Sequence, residues 1–225
     1  MEVYGSVVKD TATGAAGTGA IFNNADLKLM SGGSITATVS DNSMIYDESL
    51  MSDMTVSGVT DKGNTEFSSK NIVTVNGSWT LINGSNVTVK GKLVVPEGAT
   101  LTIEAGASLT LDNSATLQLD GNLVIEAVDE TVKKGGELNV TRGTVLIDGT
   151  ATVSGVVNVT NGKVYVNQDG VLDIDADGVL NATGTKSIFI EPSGTMNVKG
   201  AFSGTVTNKG TVTIDSNVAA TANSE

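Results

Sequence analysis

Between residues 93 and 121 the chain reads LVVPEGATLTIEAGASLTLDNSATLQLDG, and its apolar residues fall in pairs one position apart: Leu93/Val95, Leu101/Ile103, Leu109/Leu111 and Leu117/Leu119. Alternate side chains of a strand share a face, so each pair predicts a three-residue strand with both apolar ends pointing the same way. Gly, Asn or Asp follows almost every pair, and these residues turn the chain because they accept positive φ or bond their own backbone. The beat continues through Leu123/Ile125, Leu138/Val140, Val145/Ile147, Val157/Val159, Val164/Val166, Leu172/Ile174, Ile188/Ile190, Met196/Val198 and Val212/Ile214. Upstream, Val73/Val75 and Val87/Val89 belong to the same series.

A meander of hairpins requires strands of about 5–6 residues, longer than these. Three short units instead close a coil of about 22 to 26 residues, which stacks in parallel on the next and buries apolar side chains that no coil covers alone. The pattern therefore predicts an all-β chain, with residues 72–215 forming a parallel β-solenoid (β-helix) of roughly six coils. At about 4.8 Å per coil the rod is near 30 Å long.

Outside that span the pattern is less regular. Residues 1–20 read as a β-prone strand followed by a Gly/Ala/Thr tether, 21–71 as an irregular β cap region, and 216–225 as a C-terminal tail. Strand-like pieces occur at Val3–Val8, Leu27–Met30, Ile35–Val39 and Met54–Val59. The stretch from Ser43 to Met54 is the one predicted helical turn, suited to an end cap.

Composition narrows the function. The 225 residues include no Cys and no His, 27 Gly and 2 Pro, so stability rests on stacked packing rather than on disulfides. A formal charge of −12 disfavours nucleic acid and anionic lipid, both of which are bound through Lys and Arg clusters. No apolar run approaches the roughly 20 residues of a membrane helix, so no membrane insertion is expected. The start, MEVYGSVVKD, lacks the basic and apolar regions of a signal peptide. With its Thr, Asn and Gly content, the chain is expected to be extracellular, at a cell surface.

The run GATLTIEAGASLTLDNSATLQLDGNLVI resembles the passenger regions of bacterial autotransporters, filamentous adhesins and β-helical surface-layer proteins. That resemblance implies a cell-surface β-helix and carries over no particular residues. The Ca²⁺-binding nonapeptide pattern of another solenoid class, G-G-x-G-x-D, is absent.

Four sets of residues invite a chemical reading. DIDADG places Asp173, Asp175 and Asp177 before Gly178 in the order of an EF-hand loop, but Gly184 stands where the twelfth-position Glu belongs. A solenoid turn is the preferred reading and a Ca²⁺ site the alternative, completed by carboxylates such as Asp148 or Asp169; no other cofactor is expected. Sequons stand at Asn76, Asn83, Asn86, Asn139, Asn158 and Asn181, either as turn residues or as N-glycosylation acceptors. Val3, Tyr4, Val7 and Val8 form a sticky strand on a flexible leader, which either caps its own solenoid or is donated to a neighbour's sheet. Outward Thr in TLTI and SLTL suits ice binding only if repeated on every coil, and it is not.

An enzyme is not expected. Lyases of this shape use cationic bases, whereas here there is a single Arg, Arg142, and the acidic residues sit singly on turns with no long loop to build a cleft. The sequence instead points to a structural subunit of an extracellular polymer (filament, sheath or surface layer), a head-to-tail homopolymer joined by strand addition. The alternative is a monomeric adhesin or glycan-binding surface β-helix. Such a glycan-binding face needs clustered exposed aromatics, and Trp79, Tyr165 and Phe189 form no evident row in the sequence.

Overall fold

The computed structural model describes residues 55–58, 63–184, 186–216 and Val218 with their side chains. It also describes the backbone of Glu2–Val3, Ser6–Val8, Ala20–Phe22, Leu27–Leu29, Ser34–Thr36, Thr38–Ser40, Met44–Tyr46, Ser52–Thr60 and Thr221–Ser224. No helix occurs among the described residues, and the chain is a parallel β-solenoid of about seven turns.

The repeating unit is a four-residue strand whose positions run outward, inward, outward, inward, as in Thr100–Ile103, Ser108–Leu111 and Thr116–Leu119. Each turn of the solenoid carries three such strands, and each strand pairs in parallel with its equivalents one turn before and after. The first column runs from the start of Asn71–Leu81 through Lys92–Val95, Thr116–Leu119, Thr144–Ile147, Lys163–Val166 and Ile188–Ile190. The second runs from the end of Asn71–Leu81 through Thr100–Ile103, Asn122–Ile125, Thr150–Val153, Val171–Ile174, Thr195–Val198 and Thr211–Ile214. Gly63–Phe67, Ser85–Val89, Ser108–Leu111, Glu137–Val140, Val156–Val159 and Val179–Ala182 make the third.

Inward residues stack like on like. In the second column Trp79, Leu101, Leu123, Ala151, Leu172 and Met196 follow one another in register, and all are buried. Full burial of a Leu side chain is worth about 1.5–3 kcal/mol, and here the covering atoms belong to neighbouring turns. Phe67 and Trp79 meet edge to face inside the core, ring centroids 6.2 Å apart.

Turns of the solenoid differ in length, and the difference is absorbed at the corners. Leu101 lies opposite Leu123, 22 residues on, while Leu123 lies opposite Ala151, 28 residues on. Register is held because a one-residue slip would turn the Leu/Val/Ile set outward. Corners such as Asn113 (φ 54°), Ser114 (φ 68°) and Asp169 (φ 64°) use left-handed backbone to reverse the chain within a few residues.

The N-terminal part differs from the sequence expectation. Met44–Tyr46 is a strand with Met44 opposite both Leu27 and Thr65, and Ser52 already begins a nine-residue strand, so both described parts of the expected helical stretch Ser43–Met54 are strand, while residues 43 and 47–51 lie outside the described residues. A parallel neighbour on each side supplies the backbone partners that an isolated helical turn would lack. The parallel ladder also begins before residue 72. Ser52–Thr60 lies in register beside Asn71–Leu81, and Gly63–Phe67 beside Ser85–Val89.

Candidate functional site

Among the described residues the interior is packed but for an apolar void of about 20 Å³, too small for a ligand, so any site lies on the outward side chains or at the corners. On the third column Asn139, Asn158 and Asn181 occupy the same outward position on successive turns. Asn158 Nδ2 donates to Asn139 Oδ1 (3.0 Å) and to Glu137 Oε1 (2.8 Å), and Asn181 Nδ2 donates to Asn158 Oδ1 (3.1 Å). Three of the six sequons thus sit in a half-buried amide ladder, in which the nitrogens of Asn158 and Asn181 are already engaged. Asn76, Asn83 and Asn86 are exposed. This division is not legible in the sequence, because it depends on which residues fall one turn apart.

The aspartates of DIDADG go separate ways. Asp173 lies outward on its strand and accepts from Asn197 Nδ2, its register partner on the next turn. Asp175 accepts from the Ser154 hydroxyl (2.8 Å) and stands 4.0 Å from Lys199 Nζ. Asp177 is exposed in the turn. Asp148 accepts from Asn167 Nδ2 at 3.1 Å. No grouping of three or more acidic side chains arranged to hold a metal ion is present among the described residues.

Tyr165 and Phe189, which form no row in the sequence, are register partners on the first column. Their rings stack with centroids 4.7 Å apart and 13° between planes, Lys163 Nζ lies 5.9 Å from the Phe189 centroid, and Leu146 is opposite Tyr165 on the preceding turn. One face of each ring is covered by the other, so the pair joins two turns rather than presenting an open platform for a ligand.

A long corner does exist. Glu126–Gly136 links Asn122–Ile125 to Glu137–Val140, overturning the expectation of a chain without loop insertions. Asp129 shapes it: one carboxylate oxygen accepts from Thr131 N (2.8 Å) and Val132 N (2.9 Å), and these bonds hold its carboxyl below the ordinary carboxylate range. Beneath the loop is an open cleft of about 570 Å³ lined by Asn83, Glu104, Glu126, Val128, Val132 and Ser154, among others. Partial burial pushes the Glu104 carboxyl up, and the Glu126 charge adds to the shift. The signal available in the sequence was the gap in the beat between Ile125 and Leu138, filled by VDETVKKGG.

The proposed donor segment pairs within its own chain. Val3 lies opposite Leu29, Val7 opposite Ile35 and Val8 opposite Thr36, all in parallel. Tyr4 lies outside the described residues.

No protein-family model and no curated protein matches the chain. Among solved structures it is similar to the crystal structure of a TibC-catalysed hyper-glycosylated TibA fragment, residues 55–350. The likeness is 14% identity over 99% of this chain and 100% of that one, at a TM-score of 0.25. At that score nothing about fold or function is drawn from the match.

Proposed function

We propose that the chain is a surface-displayed β-solenoid of the adhesin type, a stiff non-catalytic spacer that holds small ligand-binding recesses away from the cell. The observation that carries this reading is the unbroken register of the three columns. Leu, Val and Ile fill the axis from turn to turn, and outward side chains are tied to the next turn by ladders such as Asn139–Asn158–Asn181 and Tyr165–Phe189. Such a rod transmits position and resists bending while leaving corners open. The acidic surface, at −12 overall, keeps neighbouring rods apart in solution. Antibody against the chain should label intact source cells, and brief protease treatment of those cells should remove the label. Labelling that appears only after lysis would overturn the reading.

A second reading keeps the chain as the subunit of a filament, sheath or surface layer. The observation favouring it is that, among the described residues, Ser6–Val8 has one strand partner, Ser34–Thr36, in a two-stranded sheet apart from the main ladder. So small a contact exchanges readily between copies when a Gly/Ala/Thr tether follows it. Negative-stain electron microscopy separates the cases. Filaments from the intact chain and single particles from a variant lacking residues 1–8 establish exchange, whereas single particles from both remove it.

A further inference from the structure

At the corner between the third and first columns, three consecutive turns of the solenoid differ in the length of the linking segment. Residues 68–70 and 112–115 form the outer two corners, and between them the chain crosses with only Lys90 and Gly91. A groove of about 480 Å³ lies along the short crossing, between the two longer corners. Ser69 and Lys70 line one wall and Asn113 and Ser114 the other. Lys90 and Gly91 are the floor, and Lys92 and Thr116 lead out along the first column.

The groove is built by buried groups. Asn71, 1% exposed, accepts from Ser68 N through Oδ1 (2.7 Å), while its own N donates to Ser68 O (3.1 Å), and these two bonds fix the first wall. Asp112 accepts from Asn113 N (2.8 Å) and Ala115 N donates to Asp112 O (3.0 Å), fixing the second. At Gly91 an added Cβ would run into the backbone oxygens of Asn71 and Ser68, so the floor can approach the first wall this closely only as glycine.

Its charge runs against the rest of the molecule. Three of the 13 basic residues line this one groove, and no acidic side chain does. Two neighbouring carboxylates are already engaged. Glu66 Oε1 accepts from Lys90 Nζ (2.6 Å), and Asp112 is bound by Arg142 through Nε (3.0 Å) and Nη2 (2.7 Å), which holds its carboxyl below the usual range. Lys70 and Lys92 both line the groove and make no ion pair among the described residues. Hydroxyls of Ser69, Ser114 and Thr116 and the amide of Asn113 surround them.

We propose that this groove binds an acidic sugar unit of a polysaccharide, its carboxylate between Lys70 and Lys92 and its hydroxyls on the Ser, Thr and Asn side chains. A ligand with an anionic group and many hydroxyls matches that lining, in which ion pairing and hydrogen bonds stand in place of the aromatic stacking expected of a glycan-binding face, and an open groove lets a polymer pass through. Repulsion from the acidic surface is screened beyond about 8 Å at physiological salt, so an anionic glycan can reach the groove, and its ring hydroxyls, which the phosphodiester backbone of DNA lacks, set it apart from a nucleic acid. The assignment rests on the adhesin reading and names its ligand class.

The test is calorimetric titration of the intact chain and of the Lys70→Gln/Lys92→Gln variant with oligogalacturonate, neutral dextran oligomers, inorganic phosphate and single-stranded DNA. Both lysines lie at the surface, so far-UV circular dichroism should be unchanged in the variant. Oligogalacturonate should bind the intact chain, weaken at least tenfold in the variant and weaken with added salt. Dextran, phosphate and DNA should bind at least tenfold more weakly than oligogalacturonate. No binding of oligogalacturonate, equal binding by the variant, or equal binding of phosphate or DNA overturns the assignment. If it fails while intact cells still carry the protein, the groove is wrong and surface display stands. Label appearing only after lysis, with the lysine-dependent binding intact, is the reverse case.

Discussion

Replacing Ala151 by Val tests whether the axis is packed as described. Ala151 is the one small residue in a buried column otherwise made of Trp79, Leu101, Leu123, Leu172 and Met196. An apolar cavity of about 20 Å³ lies beside it, lined by Leu123, Val145, Leu172 and Leu180 among others. It is large enough for a single water but offers none of the polar partners a water needs, so it stays dry. Val adds two carbons, each worth about 0.8 kcal/mol when buried, which sets a ceiling near 1.6 kcal/mol. Fitting a branched side chain takes back part of this, and a net gain of about 1 kcal/mol is expected. Guanidinium unfolding followed by far-UV circular dichroism should show a higher midpoint with an unchanged slope. Trp79 fluorescence, reporting a position three turns away in the same column, should shift in parallel if the rod unfolds as one unit. A loss of about 1–3 kcal/mol would signal overpacking and refute the claim that the void adjoins the Ala151 side chain.

Three further outcomes follow from the same geometry. Glu104→Gln should raise stability at neutral pH by a few tenths of a kcal/mol. The folded-state value of Glu104 lies above its ordinary one, so the ionised carboxylate opposes folding above that value, and the variant's advantage should vanish as pH falls below the ordinary carboxylate range; an advantage that grows on acidification would contradict the assignment. Asn158→Ala breaks the centre of the amide ladder and strands half-buried partners on both sides; a loss of about 1–3 kcal/mol is expected in denaturant melts, and no loss would mean that the ladder is ornamental. Gly170→Ala pushes a Cβ into the Ile147 carbonyl oxygen of the turn below, and backbone cannot move aside as a side chain can, so more than about 2 kcal/mol should be lost; a neutral result would show that the turns sit farther apart.

The fold was legible in residues such as Leu101/Ile103 and Leu109/Leu111 because an inward position one turn along must again be inward. That constraint prints a period on the chain, and turn residues mark its corners. The count of coils was less legible, since corners as short as Lys90–Gly91 and as long as Glu126–Gly136 leave the strand register untouched while altering the spacing. Within the stretch expected to be helical, Met44–Tyr46 is strand because local preference is weak beside two parallel neighbours that complete its hydrogen bonds.

The sequence by itself determined that this chain is all-β, that its Leu, Val and Ile share one axis, and that its surface is acidic. Only the tertiary structure decided which residues meet. Tyr165 finds Phe189, Asn139 finds Asn158 and Asn181, and Lys70, Lys90 and Lys92 converge on one groove. The physical reason is that inward positions obey a rule repeated on every turn. Outward neighbours are set by the accumulated length of the corners between them, and those lengths become visible only when the coils are stacked.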